Sequence, residues 1–85
     1  MFDLTDVSYV KRIVVGNNDI EGLKTEADLA AAENLLNRCL HDMPRGRILG
    51  IEKSFSVANV GEHQVVIQWL VYHVGFARRP VWLAD

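Results

Sequence analysis

The chain has 85 residues, of which 49% are hydrophobic and 24% charged, and its formal net charge at pH 7 is -2. These values predict a single folded domain over residues 1–85 and exclude a disordered chain. The small negative charge excludes a general attraction to nucleic acid or acidic membranes, and the single cysteine, Cys39, excludes an internal disulfide and a cysteine-based metal site within one chain.

The sequence has no run of about 20 apolar residues of the kind that crosses a membrane and no basic leader segment before an apolar one. We therefore expect a cytoplasmic protein that is neither secreted nor inserted in a membrane.

The first predicted element is a β-strand from Asp6 to Val15, because β-branched residues gather at its end and a Gly16-Asn17-Asn18-Asp19 turn signal follows. A short helix capped by Thr5 or Asp6 is the alternative. It would place three valines on one face: Val7, Val10 and Val14.

The second predicted element is an amphipathic helix from Thr25 to about Asp42. Thr25 and Asp28 have the spacing of a capping box, and Pro44 stops the helix because it lacks an amide donor. Apolar residues recur at three- and four-residue steps and predict the buried face: Leu29, Ala32, Leu36, Cys39, Leu40 and Met43.

A long β-hairpin is predicted from Arg47 to Phe76, with its turn at Asn59-Val60-Gly61-Glu62. We favour a loop of three or five residues, which places odd-numbered residues of both arms on one face. A two-residue loop would instead place Phe55 and Val57 on the side of Gln68 and Val66.

The second arm of the hairpin is apolar on both sides, and one helix is long enough to cover only one of them. We assign the helix to the odd-numbered side and expect the even-numbered side to form a homodimer interface, since a large apolar face usually marks a contact surface. The predicted interface residues are Val66, Leu70, Tyr72, Val74 and Phe76. The alternative is that the first strand and the Pro80-Val81-Trp82-Leu83 tail fold across this side.

Four arginines are expected at the open end of the hairpin, because its two ends meet there: Arg45, Arg47, Arg78 and Arg79. They form a candidate anion-binding or partner-binding site, since guanidinium groups bind phosphates and carboxylates through paired hydrogen bonds. The alternative is that they solvate an edge and pair with acids such as Asp42 or Asp85.

No catalytic, metal or cofactor site is predicted. The three histidines, His41, His63 and His73, lack metal-ligand spacing, and the carboxylates are scattered singly. A Cys39–His73 nucleophilic pair would need a third orienting group, and we expect His73 to be a hydrogen-bonded core or interface histidine.

These elements predict an α+β fold of β-α-β-β order, with one amphipathic helix packed on a small antiparallel sheet built around the long hairpin. The predicted function is a small, non-enzymatic, homodimeric protein-interaction module. The alternative is a nucleic-acid-binding or regulatory protein that uses the arginine cluster.

Overall fold

The elements follow one another in the predicted order in the computed structural model, which describes residues 4–19 and 22–83. After a short 3-10 helix at Leu4–Asp6 come strand β1 (Tyr9–Gly16), helix α1 (Glu26–His41), strand β2 (Arg47–Val60) and strand β3 (His63–Phe76). The three strands form one antiparallel sheet in the order β1-β3-β2. The α+β class and the β-α-β-β order are therefore confirmed.

Strand β1 is an edge strand of this sheet. It pairs with β3 from Tyr9 opposite Phe76 to Gly16 opposite Trp69. The helical alternative for this segment is wrong, because its β-branched residues complete the sheet instead.

Helix α1 begins and ends with the predicted local chemistry. The Thr25 hydroxyl accepts a hydrogen bond from the Asp28 amide at 3.1 Å, and the Asp28 carboxylate accepts one from the Thr25 amide at 3.2 Å. Cys39 is the buried residue of the helix, and Leu35, Leu36 and Leu40 pack around it. Met43 was predicted to face the core, but it is 72% exposed because it follows the end of the helix.

The register of the hairpin is set by a two-residue turn at Gly61 and Glu62, so the favoured odd-on-odd register is wrong. Val57 lies opposite Val66, and Phe55 lies opposite Gln68. The tight turn forms because Gly61 adopts a φ of +62°, which a glycine tolerates without steric cost. A bulge between Ile48 and Gly50 then shifts the pairing by one residue.

The helix covers the even-numbered side of β3, not the odd-numbered side that the sequence favoured. The core cluster joins Ile13, Val74 and Phe76 of the sheet to Cys39 of the helix and Leu83 of the tail. We call this side of the sheet the helix-side face. The other side, the opposite face, carries polar side chains of the outer strands, including Arg12, Glu52, Ser54 and Ser56.

The tail docks beside the helix and does not add a strand. The Leu83 amide donates to the Pro80 carbonyl at 3.1 Å, which turns the chain and places the Leu83 side chain in the core. The alternative in which the tail folds across the even-numbered side of β3 is therefore observed at the Val74 and Phe76 end of that strand.

The molecule is elongated for its size. Its radius of gyration is 15.4 Å, whereas a compact domain of this length has about 12 Å. The cause is the hairpin: within the described chain, residues 63–68 of β3 pair with β2 alone, beyond the end of β1. This two-stranded part, the distal hairpin, exposes both of its faces over much of its length.

Gly46 packs closely against the buried side chains of the core. Its amide donates to the Cys39 carbonyl at 2.7 Å, and a Cβ added there would lie 2.8 Å from a ring carbon of Phe76. A side chain at this position must therefore displace a buried ring.

We expect Gly46→Ala to lower the free energy of unfolding by about 1–3 kcal/mol, the usual cost of overpacking a core. Gly50→Ala is the matched control, because a Cβ added at Gly50 meets nothing within 4 Å. Urea denaturation of both variants measures the difference. Equal stabilities would contradict the close packing described for Gly46.

Candidate functional site

The five residues predicted for a dimer interface lie in two different environments. Val74 and Phe76 are fully buried in the protein's own core, and Tyr72 packs against them. The prediction that they lack an internal partner is wrong, because the helix covers this end of the helix-side face. Leu70 is half-buried, and Val66 is exposed on the distal hairpin.

A different set of apolar residues is exposed on the helix-side face, and we call it the apolar strip. Its members are between 42% and 69% exposed: Ile48, Ile51, Phe55, Val57 and Val66. They remain uncovered because α1 packs chiefly against β1, at one edge of the sheet, whereas four of the five residues belong to β2, at the other edge.

Sequence reasoning missed Phe55 and Val57 as members of this surface, because the favoured register placed them beneath the helix. The available signal was Gly61: a glycine at the first central position of a two-residue loop is typical of a type II′ hairpin turn. That turn places both residues on the side of Val66.

A hollow of about 300 Å³ lies beside the apolar strip, where β1 ends. Its lining is mainly apolar and comes from all three strands: Val15, Lys53, Gln68, Trp69 and Leu70. By the strand register, Val15, Lys53 and Leu70 lie in one row across the helix-side face. The hollow and the apolar strip therefore belong to one continuous surface.

Arg45 and Arg79 of the predicted cluster contact neighbouring parts of the chain. The Arg45 Nε donates to the His41 carbonyl at 3.2 Å. The Arg79 guanidinium donates to the Leu83 carbonyl at 3.4 Å and lies 5.8 Å from the centre of the Tyr9 ring. Arg47 and Arg78 are exposed near the same end of the sheet. These contacts give Arg45 and Arg79 structural roles at the helix end and the tail.

A fifth arginine, Arg38, also makes contacts at this end of the molecule. Its guanidinium lies 4.4 Å from the centre of the Trp82 ring and its Nε donates to the Asp42 carboxylate at 3.0 Å. Hydrogen bonds from His41 and Arg38 hold the pKa of Asp42 below its usual range. The four-residue spacing of Arg38 and Asp42 could have indicated the ion pair, but no local signal indicates the stacking on Trp82.

The sheet separates the two residues of the candidate nucleophilic pair. Cys39 is buried on the helix-side face, where burial raises the pKa of its thiol against the smaller opposing effects of Lys11 and Arg38. His73 lies on the opposite face, with its Nε2 2.5 Å from the Glu52 carboxylate. A Cys39–His73 pair therefore cannot form in this fold.

Among the residues that the structure describes, no three His, Cys, Asp or Glu side chains are grouped closely enough to hold a metal ion. No helix in the described part of the chain combines the length and the apolar composition needed to cross a membrane.

Comparison with protein-family models, with curated proteins and with solved structures found no match to this chain.

The burial of Cys39 predicts that its thiol reacts slowly in the folded protein. We expect a chromogenic disulfide reagent to modify Cys39 in the native protein roughly tenfold or more slowly than in urea, since a buried thiol with a raised pKa supplies little thiolate. A Ser56→Cys variant is the control, because Ser56 is exposed and its replacement adds an accessible thiol. Rapid modification of Cys39 without denaturant would contradict its placement in the core.

Proposed function

We propose that this protein is a small, non-enzymatic, cytoplasmic protein-interaction module that forms a homodimer through the apolar strip on the helix-side face of its sheet. The observation that carries the proposal is the exposure of the apolar strip. Small monomeric proteins seldom expose a contiguous surface of this kind unless it is a contact surface.

The surface area of the chain supports the same proposal. Its accessible surface is 6141 Å², whereas a compact monomer of 9.6 kDa exposes about 5,100 Å². The excess is about 1,000 Å², close to the roughly 800 Å² that each partner buries in a protein interface of standard size. A second copy packed on the hairpin would bury an amount of surface of this order.

The arrangement of side chains along the hairpin also suits a symmetric contact. Phe55 lies near the middle of the apolar strip, and Lys53 lies in the same row between Ile51 and Phe55. Three further polar residues border the strip on the same face: Asn59, Gln64 and Gln68. An aromatic residue within an apolar patch with a polar rim is the usual composition of a dimer interface. Two copies of one such patch are self-complementary when a two-fold axis relates them.

The alternative of nucleic-acid binding through the arginine cluster has less support. Such binding depends on the neutralisation of phosphates by positive charge, whereas the chain has a formal net charge of -2 at pH 7. We assign the cluster of Arg45, Arg47, Arg78 and Arg79 to contacts with an acidic protein partner at the end of the molecule away from the dimer.

Sedimentation velocity at micromolar to millimolar concentrations tests the dimer. We expect the wild-type protein to dimerise and Val57→Glu to raise the dimer dissociation constant at least about tenfold, since it places a charge in an apolar contact. Val10→Glu is the matched control, because Val10 is 50% exposed and Val57 51% exposed, but Val10 lies on the opposite face.

The proposal predicts that Val10→Glu leaves the dissociation constant unchanged. A wild-type chain that stays monomeric over the whole concentration range would overturn the proposal. So would an equal effect of the two substitutions, since the contact would then not be confined to the helix-side face.

A further inference from the structure

The hollow and the most exposed aromatic side chain of the hairpin are neighbours on one surface. Phe55 follows Lys53 by two residues in β2, a separation of about 7 Å along the strand, and both side chains lie on the helix-side face. Phe55 does not line the hollow of its own chain, and its side chain is one of the most exposed large apolar groups in the described residues.

We infer that Phe55 of a second copy occupies this hollow, and that each copy both supplies a phenyl ring and receives one. The inference rests on the proposed homodimer and specifies its central contact. Within the described part of the chain, Trp69 is the one aromatic residue that lines the hollow, and the hollow stays open on its outer side, where a ring from a second copy can enter.

The size and lining of the hollow fit a phenyl ring. An apolar cavity of about 150 Å³ holds a benzene molecule, and the hollow has about 300 Å³ in an open form. Val15 and Leu70 provide apolar walls on two neighbouring strands. Lys53 adds an ammonium group on a flexible stem at the rim, where it can approach the face of an inserted ring.

The geometry also satisfies the requirement of two-fold symmetry. In a symmetric dimer the same patch serves both copies, so a protruding group and its receiving hollow must lie on one surface with the axis between them. Phe55 and the hollow meet this requirement, because they lie side by side along β2 with Lys53 at the boundary. Two helix-side faces packed against each other then make the contact twice.

The reciprocal contact can be tested by complementation. Phe55→Ala removes the ring, and Val15→Trp fills the hollow. We expect each variant alone to raise the dimer dissociation constant at least about tenfold, as for a central aromatic contact. Val60→Ala is the matched control, because Val60 is 53% exposed but lies on the opposite face, and we expect it to have no effect.

An equimolar mixture of the two variants distinguishes a reciprocal insertion from a general loss of apolar surface. In the mixed dimer the remaining Phe55 enters the remaining open hollow, and on the other side an alanine faces the filled hollow without a clash. We expect the mixed pair to dimerise at least about fivefold more tightly than either variant alone, because one of two equivalent contacts is restored.

A cross-linking experiment tests the same contact without filling the hollow. We expect an interchain disulfide between a Phe55→Cys copy and a Gln68→Cys copy mixed under mild oxidation, since Gln68 lines the hollow and is exposed. The native Cys39 does not compete, because it is fully buried. Circular dichroism spectra establish that each variant is folded.

The outcomes separate this inference from the proposed function. A monomeric wild type overturns both. A wild-type dimer that Phe55→Ala leaves unchanged overturns the insertion and keeps the dimer, as would occur if the hollow held a small apolar ligand. Failure of the mixture to associate more tightly, together with absence of the mixed disulfide, also overturns the insertion.

Discussion

The two-residue turn at Gly61 and Glu62 decides how the surface of this protein is arranged. Side chains alternate between the faces of a strand, so a change of register by one residue moves every side chain of an arm to the other face. With this turn, Phe55 and Val57 of β2 share a face with Val66 of β3. The position of the apolar strip therefore follows from the backbone freedom of one glycine, Gly61.

The second constraint is that one short helix has to cover a long sheet. Helix α1 packs over β1 and over the Val74 and Phe76 end of β3, and the docked tail adds Leu83 to the same core. The distal hairpin extends beyond this cover, which leaves Phe55, Val57 and Val66 exposed on its helix-side face. A small chain that buries little of its own surface commonly gains stability from association. In the proposed dimer, a second copy covers the apolar residues that the helix leaves exposed.

The sequence predicts the helix and the strands well, because each depends on interactions between residues that are close in the chain. The Thr25 capping box, the stop before Pro44 and the β-branched composition of β1 each depend on a few adjacent residues. The register and the face covered by the helix depend on contacts between distant residues, and both were predicted wrongly. The same error placed Val74 and Phe76 in an interface and left Phe55 out of it. The stacking of Arg38 on Trp82 joins the helix to the tail and has no local signature.

The central claim is that the apolar strip on the helix-side face is a contact surface between copies, and methyl NMR on dilution tests it most directly. With labelled Ile and Val methyl groups, the account predicts concentration-dependent shifts at Ile51, Val57 and Val66, while Val10 and Val60 on the opposite face keep constant positions. Shifts confined to Val10 and Val60, or no shift at any of the five, would contradict it.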